Sequence, residues 1–84
     1  MLHKKPLQRT FRIHRRDDGR FVTRNENPTD SPLGVDLSLN MAFGTAHREA
    51  IAVSRDEGCV VVVEVQQGDG EWKRHNVVQP PKRV

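Results

Sequence analysis

The chain has 84 residues, of which 35% are hydrophobic and 5% aromatic, so it can form one small domain with a thin core. Its single cysteine excludes an internal disulfide, and the sequence has no apolar run of the roughly 18 residues that a membrane span needs. A lone thiol suits a reducing compartment and the basic N-terminus lacks the apolar stretch of a signal peptide, so we expect a cytoplasmic protein.

Charge is divided along the chain. Residues 1–24 carry eight Lys/Arg and two Asp (net +6), and residues 25–71 carry two Arg and nine Asp/Glu (net −7). Residues 72–84 carry four Lys/Arg and no acid (net +4). Such a division is found in proteins that contact nucleic acid and in proteins that dock on a charged protein surface.

A basic arm over residues 1–9 precedes a predicted β-hairpin with the sequence TFRIHRR–DDG–RFVTR. Phe11 and Ile13 alternate with polar residues, which is typical of a strand with one buried face. Asp18 and Gly19 supply the turn, because both residue types tolerate the left-handed backbone of tight hairpins.

Residues 25–44 form an insertion whose first part, 25–34, is rich in proline and polar turn formers and is predicted as a loop. The stretch VDLSLNMAF over residues 35–43 is ambiguous. Strict alternation predicts an extended segment, whereas helical spacing of Leu39, Phe43 and later apolar residues predicts a long helix with glycine inside it.

The helix boundary is decided by Gly44, since glycine in a helix interior costs about 1 kcal/mol. The pattern therefore favours an extended segment to residue 43 and a helix from about Thr45 to Glu57. Thr45 is a competent N-cap and Gly58 is placed to end the helix.

The last predicted element is a hairpin, CVVVVEV–QQGDG–EWKRHNVV, followed by a tail over residues 80–84. Its first strand places Cys59 in one row with Val61, Val63 and Val65, beneath the helix. The valines at positions 60 and 62 fall on the second face, where either residues 25–44 or a second copy in a homodimer would cover them.

Together these elements predict a single α+β domain over residues 10–79. Two hairpins form an antiparallel sheet of four strands, with residues 35–43 as an alternative fifth strand. The one helix packs on one face of this sheet.

No constellation for catalysis, a cofactor or a metal is present, so we expect a protein that is not an enzyme. Cys59 opens an apolar strand and is interpreted as an inert core thiol with a raised pKa. The histidines lack zinc-ligand spacing. His14 and His75 can approach each other across the sheet, but such a pair lacks a third ligand.

The basic hairpin is the candidate binding surface, because its arginines alternate with the core residues and so share the sheet face opposite the helix or its rim. Lys73 and His75 join this face if Trp72 and Arg74 point the other way. The candidate partner-binding residues are Arg12, His14, Arg16, Arg20, Arg24, Trp72, Lys73 and His75.

Three interpretations of this surface stay open: a solvated face, a docking face for a protein or ribonucleoprotein complex, and a nucleic-acid-binding face. A tryptophan beside arginines is typical of interface hot spots. Single-strand binders stack bases on exposed aromatics, and this chain has one Trp and no Tyr. The leading hypothesis is a small interaction module for a protein or ribonucleoprotein, and the alternative is nucleic-acid binding.

The segments DDGRFVTR, AHREAIAVSRDEG and CVVVVEVQQGDGEWKRH resemble a family of short uncharacterised bacterial β-β-α-β-β proteins. The similarity covers about residues 10–76 and is interrupted by the insertion over residues 25–44. That resemblance implies the fold and no activity. In size and architecture the chain is also similar to small phage anti-CRISPR proteins. This analogy implies a non-enzymatic inhibitor that docks on a host defence complex.

Overall fold

The computed structural model describes residues 8–26 and 31–81 and contains five strands and one helix. The elements in chain order are β1 (Gln8–Arg15), β2 (Phe21–Asn25), β3 (Gly34–Asp36), α1 (Leu39–Glu57), β4 (Val60–Gln66) and β5 (Trp72–Val78). Helix α1 packs on one face of the sheet, which confirms the predicted α+β fold. Most of the predicted basic arm, residues 1–7, and the tail residues 82–84 lie outside the described residues.

The sheet has the strand order β3-β2-β1-β4-β5. Both predicted hairpins are present, since β1 pairs antiparallel with β2 and β4 pairs antiparallel with β5. The two hairpins meet through a parallel pairing of β1 with β4, so the sheet is mixed rather than wholly antiparallel. The intervening β2, β3 and α1 supply the long crossover that a parallel pair requires.

The core lies between α1 and the two central strands. It contains Phe11 and Ile13 of β1 together with the predicted row of Cys59, Val61 and Val63. The helix presents small residues to this core at every fourth position, namely Ala42, Ala46, Ala50 and Ser54. Because these side chains are short, α1 can lie close to the sheet.

The predicted helix start was wrong, because α1 begins at Leu39 and only Gly34–Asp36 is extended. Ser38 is the N-cap, and its Oγ accepts a hydrogen bond of 3.2 Å from the Met41 N–H. Gly44 therefore lies inside the helix. Leu39 and Phe43 pack against the core, and this packing outweighs the low helix propensity of one glycine. The predicted C-terminal end is confirmed, because Gly58 adopts a left-handed φ of 63°.

Strand β3 passes so close to α1 that position 34 has no room for a side chain. A Cβ built on Gly34 would lie 2.6 Å from Thr45 Cγ2. The φ of Gly34 is not positive, so the requirement for glycine here comes from space and not from backbone conformation.

The valines on the second face of β4 are less exposed than the sequence suggests. Val62 is 5% exposed and Val60 is half-buried. Strand β3 is separated from β4 by two strands and does not cover them. The register places Val62 between Thr10 and Val77. A homodimer through the two valines would thus gain little additional burial at Val62.

Helix α1 carries too many polar and charged residues to cross a membrane, and no helix in the described part of the chain qualifies as a membrane span.

We expect Ser38→Ala to lower the free energy of unfolding by about 1 kcal/mol, because it removes the side chain that caps α1. Ser38→Asp should keep the wild-type value, because an aspartate side chain also caps a helix N-terminus. Urea unfolding of the two variants measures the difference. Equal stability of Ser38→Ala and Ser38→Asp would contradict the assignment of Ser38 as the N-cap.

Gly34→Ala should destabilise the protein by about 1–3 kcal/mol, because the added methyl group overpacks the β3–α1 contact. Thr45→Ser removes the opposing Cγ2 and should restore more than half of that loss in the double variant. Gly68→Ala is the matched control, since a Cβ at Gly68 meets nothing within 4 Å. Thermal unfolding of the four proteins measures the coupling, and additive effects in the double variant would contradict the close approach.

Candidate interaction surface

The sheet face that points away from α1, here called the outer face, carries a row of charges across four neighbouring strands. Side chains of cross-strand partners share a face. Arg24 of β2 pairs with Arg12 of β1, Arg12 pairs with Glu64 of β4, and Glu64 pairs with Arg74 of β5. The row therefore reads Arg24–Arg12–Glu64–Arg74, with one carboxylate among three guanidinium groups.

Arg12 is held in place from two sides. Its Nε donates a hydrogen bond of 3.1 Å to Glu64 Oε1, and its Cζ lies 4.9 Å from the ring centroid of Trp72. The parallel register brings the Arg12 and Glu64 backbones side by side, and the β4–β5 hairpin brings Trp72 to the same face. Trp72 remains 37% exposed, so this cluster is both ordered and accessible.

A concavity of about 360 Å³ lies beside this cluster. Four of the predicted site residues line it, namely Arg12, His14, Arg24 and Trp72, because the Trp72 side chain of β5 reaches across β4 to Arg12. Asn25 and Glu26 complete its lining. No sequence pattern pointed to Asn25 and Glu26, because they lie at the last residue of β2 and just beyond it, where the strand alternation stops.

Arg16 and Arg20 do not join the concavity and belong instead to the β1–β2 turn. Arg16 forms an ion pair with Asp18, and the Arg20 N–H donates a hydrogen bond of 3.0 Å to Asp18 Oδ1. The hydrogen bond from Arg16, and next the one from the Arg20 N–H, lower the pKa of Asp18 to about 2. The contacts of Arg16 and Arg20 with Asp18 therefore belong to the local structure of the β1–β2 turn.

Lys73 and His75 do not lie with the other predicted site residues, so the alternative that placed them on the arginine face is wrong. Trp72 occupies the outer face, and Lys73 pairs beside Val65 on the helix side. A register shift in β5 leaves His75 as an extra residue, and its ring stacks on Phe43 of α1 at 3.7 Å.

The predicted approach of His14 and His75 is consequently wrong, since His14 lies on the outer face and His75 on the helix side. A notch of about 280 Å³ separates α1 from β5, where Asn76 Nδ2 lies 3.3 Å from His47 Nδ1. Periodicity did not reveal this notch, because the β-bulge that forms it has no sequence signature here. In residues 8–26 and 31–81, no three His, Cys, Asp or Glu side chains are grouped to hold a metal ion.

Cys59 lies in the core, as predicted. It is fully buried, and its Sγ lies 3.9 Å from the Val53 carbonyl oxygen. Burial, with a smaller contribution from the negative charge of Glu57, raises the pKa of the thiol. A buried thiol of this kind is a poor nucleophile.

The division of charge along the sequence is not a division in space. Arg9 of the basic segment forms a 2.8 Å ion pair with Glu57 of the acidic segment, and Arg12 pairs with Glu64. Within the described ranges, no ion pair joins Arg74 or Lys73 to an acid at 4.0 Å or less. Strand β5 therefore contributes the uncompensated positive charge next to Trp72.

No protein-family model matches the chain, and searches of curated proteins and of solved structures find no match. The resemblance to short bacterial proteins and the analogy to anti-CRISPR proteins therefore stay predictions. The geometry of the outer face carries the functional argument.

The pKa of Asp18 predicts a pH-dependent contribution to stability. A lowered carboxyl pKa stabilises the fold above the ordinary value of 3.8 and ceases to do so as the pH falls towards 2. Asp18→Asn should therefore lose less stability between pH 4 and pH 2 than the wild type does. Thermal unfolding across this range measures the difference.

Asp17→Asn is the control for this prediction, since Asp17 forms no ion pair among the residues that the structure describes. It should keep the wild-type pH dependence. Equal acid sensitivity of Asp18→Asn and the wild type would contradict the predicted role of the Asp18 contacts.

Proposed function

We propose that this protein is a non-enzymatic interaction module that binds another protein, or the protein part of a ribonucleoprotein complex, through its outer face. The observation that carries the proposal is the fixed position of Arg12 between Glu64 and Trp72. A half-buried arginine of the central strand β1 contacts an exposed tryptophan of the edge strand β5, and these are the residue types that dominate binding energy at protein interfaces.

Preorganisation supports this role. A free arginine side chain loses on the order of 0.5–1.5 kcal/mol of rotamer entropy when an interface immobilises it. In the free protein the ion pair and the ring contact already restrict Arg12, so a partner does not have to order it. Trp72 adds a large contact area with only two rotatable side-chain bonds.

The paired charges favour a protein partner over a nucleic acid. Phosphate binding requires cations that are free to replace counterions. Arg9, Arg12 and Arg16 each have a carboxylate partner in the same chain. Glu64 also lies in the middle of the charged row, where it would repel a phosphodiester backbone.

Nucleic-acid binding remains the second candidate, because β5 carries two exposed cations, Arg74 on the outer face and Lys73 on the helix side. A single tryptophan would give such a site one stacking platform, whereas sequence-tolerant single-strand binders stack several bases.

Site-specific photocrosslinking tests the proposed function in the cells that make this protein. A photoreactive amino acid at position 66, the cross-strand neighbour of Trp72, should capture a discrete protein partner. The same group at position 55, which is exposed on α1, is the matched control and should not capture it.

Once the partner is identified, the substitution Trp72→Ala should weaken its binding by about 30-fold, which corresponds to the roughly 2 kcal/mol of a hot-spot residue. Arg55→Ala should leave the affinity unchanged. Equal capture from positions 66 and 55, or no protein adduct from position 66, would overturn the proposal.

A further inference from the structure

We infer that the partner contacts the outer face with an extended acidic segment that carries two carboxylates four residues apart and an apolar residue midway between them. This inference rests on the proposed function and specifies the chemistry of the partner. It follows from the order of charges in the row Arg24–Arg12–Glu64–Arg74 and from the position of Trp72.

The spacing of the carboxylates follows from sheet geometry. Neighbouring strands lie about 4.8 Å apart, so Arg24 and Arg74 are separated by three intervals, or about 14 Å. An extended segment rises about 3.3–3.4 Å per residue, so residues i and i+4 are about 13 Å apart and project to the same side. A segment that crosses the strands can thus place one carboxylate near Arg24 and Arg12 and the other on Arg74.

The centre of the row selects against continuous negative charge. Glu64 occupies the position between Arg12 and Arg74, and its Oε1 is bound by the Arg12 Nε. A partner segment with carboxylates at i, i+2 and i+4 would bring its central carboxylate next to Glu64. A segment with a neutral residue at i+2 avoids this repulsion and leaves the Arg12–Glu64 pair intact.

Trp72 supplies the contact for that central residue. The side chain at i+2 projects to the same side as the two carboxylates and lies over the Arg12–Glu64 pair, beside the Trp72 ring that the Arg12 guanidinium contacts. Trp72 is 37% exposed, which leaves apolar area for an aliphatic side chain to cover. An acidic–aliphatic–acidic alternation therefore fits both the charges and the ring.

The sequence contains a single tryptophan, so the fluorescence of Trp72 reports directly on this surface. The probe is a capped synthetic peptide with a central Glu-Ser-Leu-Ser-Glu segment, titrated at about 20 mM salt, where surface charges are weakly screened. We expect a saturable change in Trp72 emission. The same peptide with both Glu replaced by Gln should bind at least 10-fold more weakly.

Variants of the protein locate the binding site. Arg74→Glu should weaken peptide binding at least 10-fold, because it reverses the charge that receives the second carboxylate. Arg55→Glu is the matched control, since it makes the same change on α1, and it should bind as the wild type does. Circular dichroism of both variants establishes that the fold is retained.

Three results would overturn the inference: no emission change up to 1 mM peptide, equal binding of the Glu and Gln peptides, or tighter binding of a ten-residue oligothymidine than of the peptide. The last result would favour nucleic acid. If the peptide fails while position 66 still captures a partner, the acidic segment is wrong and the proposed function stands. If both fail, the outer face is not the binding surface.

Discussion

The parallel pairing of β1 with β4 is the contact on which the rest of this structure depends. One register sets Phe11 beside Val63 and Ile13 beside Val65 on the helix side, and it sets Arg12 beside Glu64 on the outer face. A slip by one residue in either strand would move charged side chains of that strand into the core, because adjacent residues point to opposite faces. The hydrophobic core therefore fixes the geometry of the binding surface behind it.

A single helix can cover only one face of a five-stranded sheet, and the composition of α1 shows how that one face is closed. Alanines at every fourth position and the missing side chain at Gly34 let the helix lie close to the strands. The core is thin as a result, and it consists mainly of valine, alanine and two larger β1 side chains. The outer face receives no second layer from the described elements, which leaves Arg12, Arg74 and Trp72 available to a partner.

Local patterns in the sequence predicted the local structure well. Alternation identified the first hairpin, and β-branched content with a glycine-rich turn identified the second. Gly19 adopts the positive φ expected at the first turn, and Gly58 ends the helix as expected. The features that were missed depend on contacts between distant residues. No local sequence pattern in β1 or β4 encodes their parallel pairing. The helix-propensity cost of Gly44 was considered alone, without the core contacts that Leu39 and Phe43 make when the helix begins at Leu39. Of the predicted binding residues, Arg12, His14, Arg24 and Trp72 line one concavity. Lys73 and His75 lie on the helix side instead, Lys73 through its register with Val65 and His75 through a bulge in β5.

The charged row brings together residues whose charges are far apart in the sequence. Read along the chain, basic ends flank an acidic middle, which suggests a polycation ready to bind phosphate. In space, the parallel pairing inserts Glu64 between arginines from both ends of the chain. Partly exposed ion pairs contribute at most about 1 kcal/mol to stability, so Glu64 adds little to the fold itself. Its larger effect is to orient Arg12 and to interrupt the row of positive charges. An interrupted row discriminates between partners by the spacing of their charged residues rather than by their total charge.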